Sequence, residues 1–315
     1  MSISRMMAAV VALASVASTP PPAQPEEPDS VSDVEQIALQ KEYYDRVTVP
    51  VHLMGIGPYK FMVDTGAQAT VVSTRVADEV GLHERRAAVL VGMASKANVE
   101  TAEVPQFTLG SREFHIQTAP IVPQENLGLA DGILGLDSLQ NQRVLIDFVK
   151  KRILVADSDT LGGNVGYEII VKARRKLGQL IITGARINGI DTDVIVDTGS
   201  QSSLGNMALL KRLRSARALP DNTITDVNGE QLTGNVKVVR KLEIDRMSIS
   251  NLPIIFADAP PFESLGMHER PALILGITEL KLFRRVAIDF SNQKILFDLP
   301  HDVRGQNAVI GGIIG

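Results

Sequence analysis

The chain writes one motif twice. An apolar run closes on Asp-Thr-Gly at "FMVDTGAQAT" (residues 61–70) and again at "VIVDTGSQSS" (residues 194–203). Two landmarks follow each copy in the same order. The first is an apolar pair ending in Gly, "DGILGLDSL" (131–139) and "ALILGITEL" (272–280). The second is a strand-like run around Ile-Asp-Phe, "VLIDFVKKRILV" (144–155) and "VAIDFSNQKILF" (286–297). The offsets are 133 residues from Asp64 to Asp197, 141 from Gly135 to Gly276 and 142 from Asp147 to Asp289. Spacing this constant over three landmarks implies two copies of one domain. A carboxylate at the end of an apolar strand also needs a partner, because a lone buried charge is costly. The repeat supplies one: Asp64 and Asp197 are expected to face each other.

Local patterns repeat with the motif. Each Asp-Thr-Gly strand follows a Gly-containing turn, "MGIGPYK" (54–60) and "INGIDTD" (187–193), and precedes a short helix. Ser73 is placed to cap "TRVADEV", with Gly81 as its stop, and Asn206 to cap "MALLKRL". Short helices are also expected after Gly135 and Gly276. Hairpins are expected over 89–104, turning around 94–98, and over 222–239, turning at Asn228-Gly229. The polar, Gly-rich "DSDTLGGNVG" (157–166) separates the copies. The resulting plan is a first lobe over 45–157, a linker over 158–166, a second lobe over 167–300 and a tail over 301–315. The fold class is all-β with a few short helices, in two homologous lobes. Strands around 153–155 and 295–297 are expected to join a shared sheet.

Composition narrows the function. A net charge of −4 gives no basic footprint for nucleic acid. With no Cys, neither a disulfide framework nor a thiolate metal site is possible. The five His residues (His52, His83, His115, His268, His301) lack ligand spacing, so no metal and no other cofactor is expected. Gly55-Ile56-Gly57 lacks the third glycine and the following helix of a nucleotide loop, and reads as a turn. Asp147 and Asp289 read as structural. At the N-terminus, Arg5, the apolar "MMAAVVALASVA" (6–17) and its small residues at 15–17 read as an export signal, too short to span a bilayer. Residues 18–44 read as a Pro- and Glu-rich tether, with 31–46 a possible inhibitory pro-segment. The mature chain is expected to carry no transmembrane span and to work in the periplasm, or else secreted or anchored by its N-terminus.

These motifs resemble the aspartic proteases, and more closely the retropepsin-like proteins of bacteria. The shared signature is an apolar run, Asp-Thr-Gly followed by Ala or Ser, and an apolar-apolar-Gly some seventy residues on. It is met here by "FMVDTGAQATVVS" with "ILG" (133–135) and by "VIVDTGSQSSLGN" with "LILG" (273–276). The resemblance covers residues 45–298. Single-copy viral members dimerise, so the resemblance implies an intramolecular pseudo-dimer, two homologous β-barrel lobes flanking a central cleft with the shared sheet beneath it, that works as a monomer. Pepsin-like enzymes are fused pairs too, with longer lobes, disulfides in many members and a flap tyrosine. Here there is no Cys, and Tyr43, Tyr44, Tyr59 and Tyr167 lie outside both hairpins.

The resemblance implies an aspartic endopeptidase whose Asp64/Asp197 dyad shares one proton and activates a water, with no metal and no covalent intermediate. It implies that Thr65 and Thr198 cross-link the two Asp loops. Gly66 and Gly199 would permit close backbone approach, and the segments ending in Gly135 and Gly276 would pack beneath. It also makes the hairpin tips flap candidates: Gly92, Met93, Ala94 and Ser95 in one, Asn228 and Gly229 in the other. They would cover a polypeptide bound like an added strand. Ser200, unlike Ala67, has a hydroxyl, which is expected to donate to the Asp197 carboxylate and so leave the shared proton more often on Asp64. The competing expectation is a catalytically inactive periplasmic module that binds peptides or proteins on the same fold.

Overall fold

In the computed structural model, residues 35–38, 40–41, 47–140, 142–303 and 308–311 are described, and the expected export signal lies outside them. The repeat appears as two sheets of one plan. In the first lobe, Val47–Leu53 and Ile56–Val63 form a hairpin. Its turn residues, Met54 and Gly55, both have positive φ (52° and 77°), as a tight two-residue turn requires. Ile56–Val63 then runs parallel to Gly132–Leu134, which lies antiparallel to Val71–Ser73. The second lobe repeats this arrangement. Gln179–Ile187 and Ile190–Val196 pair through Asn188-Gly189, Ile190–Val196 runs parallel to Ala272–Leu275, and Leu204–Gly205 lies antiparallel beyond. Both Asp-Thr-Gly loops therefore leave a strand whose parallel neighbour is the apolar-apolar-Gly strand. These are interior strands covered on both faces, which is why they read as unbroken apolar runs.

A six-stranded sheet joins the lobes. At its centre Arg143–Asp147 and Arg285–Asp289 pair antiparallel, with Leu145 opposite Ala287 and Arg143 opposite Asp289. Arg152–Ala156 and Lys294–Asp298 flank this pair, so the expected shared sheet is present. Arg143 and Asp289 form a fully buried ion pair at 2.6 Å, and the same carboxylate also accepts from Ser158 Oγ at 2.6 Å and Asn292 Nδ2 at 3.0 Å. A buried pair is tolerable when its remaining valences are filled in this way. Asp147 and Asp289 also accept the backbone N–H groups that follow them, which explains their recurrence. One apolar core runs continuously from lobe to lobe through this sheet.

Smaller elements follow their local signals. Ser73 Oγ accepts the Val76 N–H at 3.3 Å and Asn206 Oδ1 the Leu209 N–H at 2.9 Å, capping Thr74–Glu79 and Met207–Arg212. Leu136–Leu139 and Ile277–Leu280 follow the two glycines. Part of the stretch read as tether or pro-segment is instead sheet. Glu35–Ala38 pairs with Arg152–Ala156 and Gln40–Lys41 with Val47 and Thr48, each contributing backbone bonds at a sheet edge. Ala308–Gly311, in the tail, lies parallel to Met247–Ser250. Among the described residues no helix is long and apolar enough to cross a membrane.

Both hairpin turns need correction. The first falls at 92–95, ahead of the expected 94–98, because the Gly92 N–H closes onto Ser95 O at 2.8 Å. The second is not a two-residue Asn228-Gly229 turn. Asp226 bonds through its own backbone to Gly229 N–H (3.0 Å) and Glu230 O (2.9 Å), so Arg217–Thr225 and Gln231–Ile244 are joined by a longer loop.

Candidate active site

The two Asp-Thr-Gly loops meet between the lobes and are bolted together by their threonines. Thr65 Oγ1 donates to Val196 O (2.9 Å) and accepts the Thr198 N–H (3.2 Å). Thr198 Oγ1 donates to Val63 O (2.7 Å) and accepts the Thr65 N–H (3.1 Å). A hydroxyl can donate once and still accept, so two side chains satisfy four backbone groups of the opposite lobe. The threonines are buried, so none of these groups has water as a substitute.

The same loops aim the carboxyl groups. Asp64 Oδ1 accepts from the N–H groups of Gly66 (2.8 Å) and Ala67 (2.9 Å), and Asp197 Oδ1 from those of Gly199 (2.8 Å) and Ser200 (3.1 Å). The two carboxyl groups adjoin, each lying against the glycine of the opposite loop. Gly66 and Gly199 make this possible: a Cβ on either would overlap the Asp carboxyl of the opposite lobe. Beneath, the Asp64 and Asp197 N–H groups bond Leu134 O (3.1 Å) and Leu275 O (3.0 Å), while Leu136 and Ile277 N–H groups bond Ala67 O and Ser200 O. Gly135 and Gly276 sit against the backbone of Ala69 and Ser202, leaving no room for a side chain.

The carboxyl groups are not equivalent. Asp197 is buried, 6% exposed, and Asp64 is only half-buried. Burial first, and the adjoining Asp64 carboxyl second, push Asp197 well above the usual carboxylate range. This reverses the expected asymmetry. Ser200 Oγ donates to Ser202 O at 2.8 Å rather than to the Asp197 carboxylate, so it does not favour the ionised form. The pair titrates as a unit, with its proton biased toward the more buried member.

A second inequality lies one layer down. In the first lobe Thr70 Oγ1 accepts the Gly135 N–H and donates to Asp137 Oδ1 at 2.6 Å. In the second, Ser203 Oγ accepts the Gly276 N–H and donates to Glu279 Oε2 at 2.5 Å. Glu279 is 4% exposed, and burial pushes its carboxyl up to about 7 despite the Ser203 hydroxyl.

Above the dyad lies a cavity of about 520 Å³. Its walls are largely apolar, with Met62, Val71 and Ile133 from one lobe and Ile195, Leu265 and Ile274 from the other. The tips of both hairpins line it, through Gly92 and Met93 in one and Asp226 and Val227 in the other. Ala94, Ser95 and Asn228 bond across to the opposite tip, and Gly229 packs against Asn126. Sequence reasoning missed Asp226 and Glu279. It also missed Gln179, whose Nε2 donates to Gly66 O across the lobes. Only Asp226 had a local signal, as the first residue of an Asp-x-Asn-Gly turn. Among the described residues no group of three or more His, Asp and Glu is placed to hold a metal ion.

Comparison with known families gives the same twofold division. Residues 49–141 match the family described as gag-polyprotein putative aspartyl protease, and residues 183–278 match the family described as aspartyl protease. No curated protein matches the chain significantly.

Proposed function

We propose that this chain, which carries two aspartyl protease domains in tandem, is a retropepsin-like endopeptidase whose Asp64 and Asp197 form one shared catalytic dyad. The contact between the two carboxyl groups, one from each lobe, carries this reading. Asp64, half-exposed to the cleft and ionised, takes a proton from a water bound between the pair as its oxygen attacks the peptide carbonyl carbon. Asp197, buried and protonated, donates to the carbonyl oxygen and stabilises the charge that develops there. In the resulting gem-diol, Asp64 returns its proton to the amide nitrogen, the C–N bond breaks, and Asp197 recovers a proton from the hydroxyl. The bonds balance with no cofactor.

The substrate is an extended polypeptide laid across the cleft, with apolar side chains beside the scissile bond, in keeping with the apolar walls. One chain supplies both halves of the site, so the active form is a monomer. The export signal read in residues 1–17 supports a reaction beyond the cytoplasm, in the periplasm.

The test is cleavage of a diverse peptide library between pH 3 and 8 by the wild type, Asp64→Asn and Asp197→Asn. Wild type should cut, and each single variant should lose about 10³-fold or more in kcat/KM. Full activity in either variant would sink the shared dyad. An uncut library at every pH would leave a peptide-binding module in its place.

A further inference from the structure

The roof of the cleft contains a carboxylate that the chemistry does not use. Asp226 is 5% exposed and its two oxygens do different jobs. Oδ1 accepts the N–H groups of Asn228 (2.9 Å) and Glu230 (3.0 Å), which shapes its own turn. Oδ2 reaches the other hairpin, accepting the Ala94 N–H (3.0 Å) and Ser95 Oγ–H (2.8 Å). Asn228 Nδ2 adds a bond to the same Ser95 Oγ at 2.8 Å. Gly92 completes the fit, since a Cβ there would overlap Asp226 Oδ2.

Apolar contacts cross in both directions. Met93, from the first hairpin, packs on the apolar cluster of the second lobe, which includes Phe262, Leu265 and Ile274. Val227, from the second hairpin, packs on the cluster of the first lobe with Leu127 and Ile133, and Asn126 Nδ2 holds its carbonyl at 3.1 Å. The exposed Lys96–Glu263 pair adds little.

We propose that Asp226 is a latch: its carboxylate clasps the two hairpin tips over the dyad in the free protein, and substrate enters only when that clasp opens. Bonds to an ionised acceptor are among the stronger ones in a protein, and here they join two elements with no covalent link nearby. Both tips line the cavity that holds the dyad, so a polypeptide laid across it must part them. The latch is also one-sided. The Gly92 N–H closes the first turn onto Ser95 O as the Asp226 N–H closes the second onto Glu230 O, so the counterpart of Asp226 is Gly92. In a pair of identical subunits an Asp here would confront its own twin and repel it, so this clasp depends on two unequal copies.

The proposal rests on the protease reading for what the latch admits, but its test does not. Amide exchange of Ala94 is measured in the free, full chain for wild type, Asp226→Asn and Gly92→Ala. Asn keeps an acceptor for the Asn228 and Glu230 N–H groups and loses the one for Ala94. Ala at 92 pushes the clasp apart from the other side. Ala94 should exchange about 10- to 100-fold faster in both variants. Should Asp226→Asn disturb its own turn, seen as lost protection at Asn228 and Glu230, Gly92→Ala decides alone. A wild-type exchange rate at Ala94 overturns the latch even in an enzyme that cleaves peptides. Faster exchange in a chain that cleaves nothing keeps the latch and sinks the protease reading.

Discussion

Glu279 makes stability depend on pH in a way that can be isolated. Its carboxyl titrates at about 7 in the fold, against an ordinary 4.5, because burial beneath the Asp197 loop outweighs the Ser203 hydroxyl that bonds it. The folded state therefore holds this proton more tightly than the unfolded chain. Where the native state binds more protons, stability falls as pH rises. The favourable contribution is fully present below about 4.5 and is lost as pH climbs through about 7. At about 1.4 kcal/mol per pH unit, the whole window amounts to about 3 kcal/mol. Between pH 5 and 8 the share lost is about 2–3 kcal/mol. Glu279→Gln keeps a carbonyl for the Ser203 hydroxyl and removes the titration. Urea unfolding of both proteins at half-unit steps from pH 4.5 to 8 reads the difference directly. The variant should match the wild type near pH 4.5 and exceed it by about 3 kcal/mol at pH 8. Parallel stability curves across that range would refute the reasoning, because they would mean Glu279 stays ionised in the fold.

Three further outcomes rest on separate contacts. Thr198→Val leaves Val63 O and the Thr65 N–H without their partner and should cost about 2–4 kcal/mol in denaturant unfolding, whereas Thr198→Ser should cost far less. Asp64→Asn removes the like charge that helps raise Asp197, so this variant should melt above wild type at pH 7 but not at pH 4, as calorimetry at the two pH values would show. Arg143→Ala leaves the Asp289 charge buried without its cation and should destabilise the chain by about 3–5 kcal/mol in equilibrium unfolding.

What could be read from the sequence was what lies close along it. The Asp-Thr-Gly loops, the caps at Ser73 and Asn206 and the paired landmarks each need only a few neighbouring residues, and the repeat doubled every signal. What was missed lies far apart. Asp226 meets Ala94 across 132 residues, and Glu279 meets Ser203 across 76. Neither pairing leaves a local trace. The reading of Ser200 failed for a different reason. Its hydroxyl bonds Ser202 O, two residues on, and only its backbone N–H bonds the Asp197 carboxylate, the local bonding short polar side chains often make. Glu35–Ala38 was passed over because the Pro- and Glu-rich stretch before it dominated the composition, while its partner strand begins at Arg152.

The unequal copies matter to the proposed chemistry, which is itself unequal. Peptide hydrolysis by two carboxyl groups needs one acid and one base at the same moment, yet two identical lobes would present two identical groups. Here the bias is built into the covalent chain. Asp197 is buried and Asp64 faces the cleft, so the proton has a preferred seat before substrate arrives. The positions that remain matched across the lobes are those that must act symmetrically: the two threonines of the cross-link, the glycines that let the carboxyl groups approach, and the hydroxyls of Thr70 and Ser203 beneath them. Two of the diverged positions bear on charge: Ser138 is the counterpart of Glu279 under the loops, and Gly92 of Asp226 in the roof. A fused tandem can place a charge on one side of a pseudo-twofold axis without placing its twin on the other. The Asp226 clasp requires that freedom, because in a symmetric dimer of either lobe the carboxylate would face its own twin.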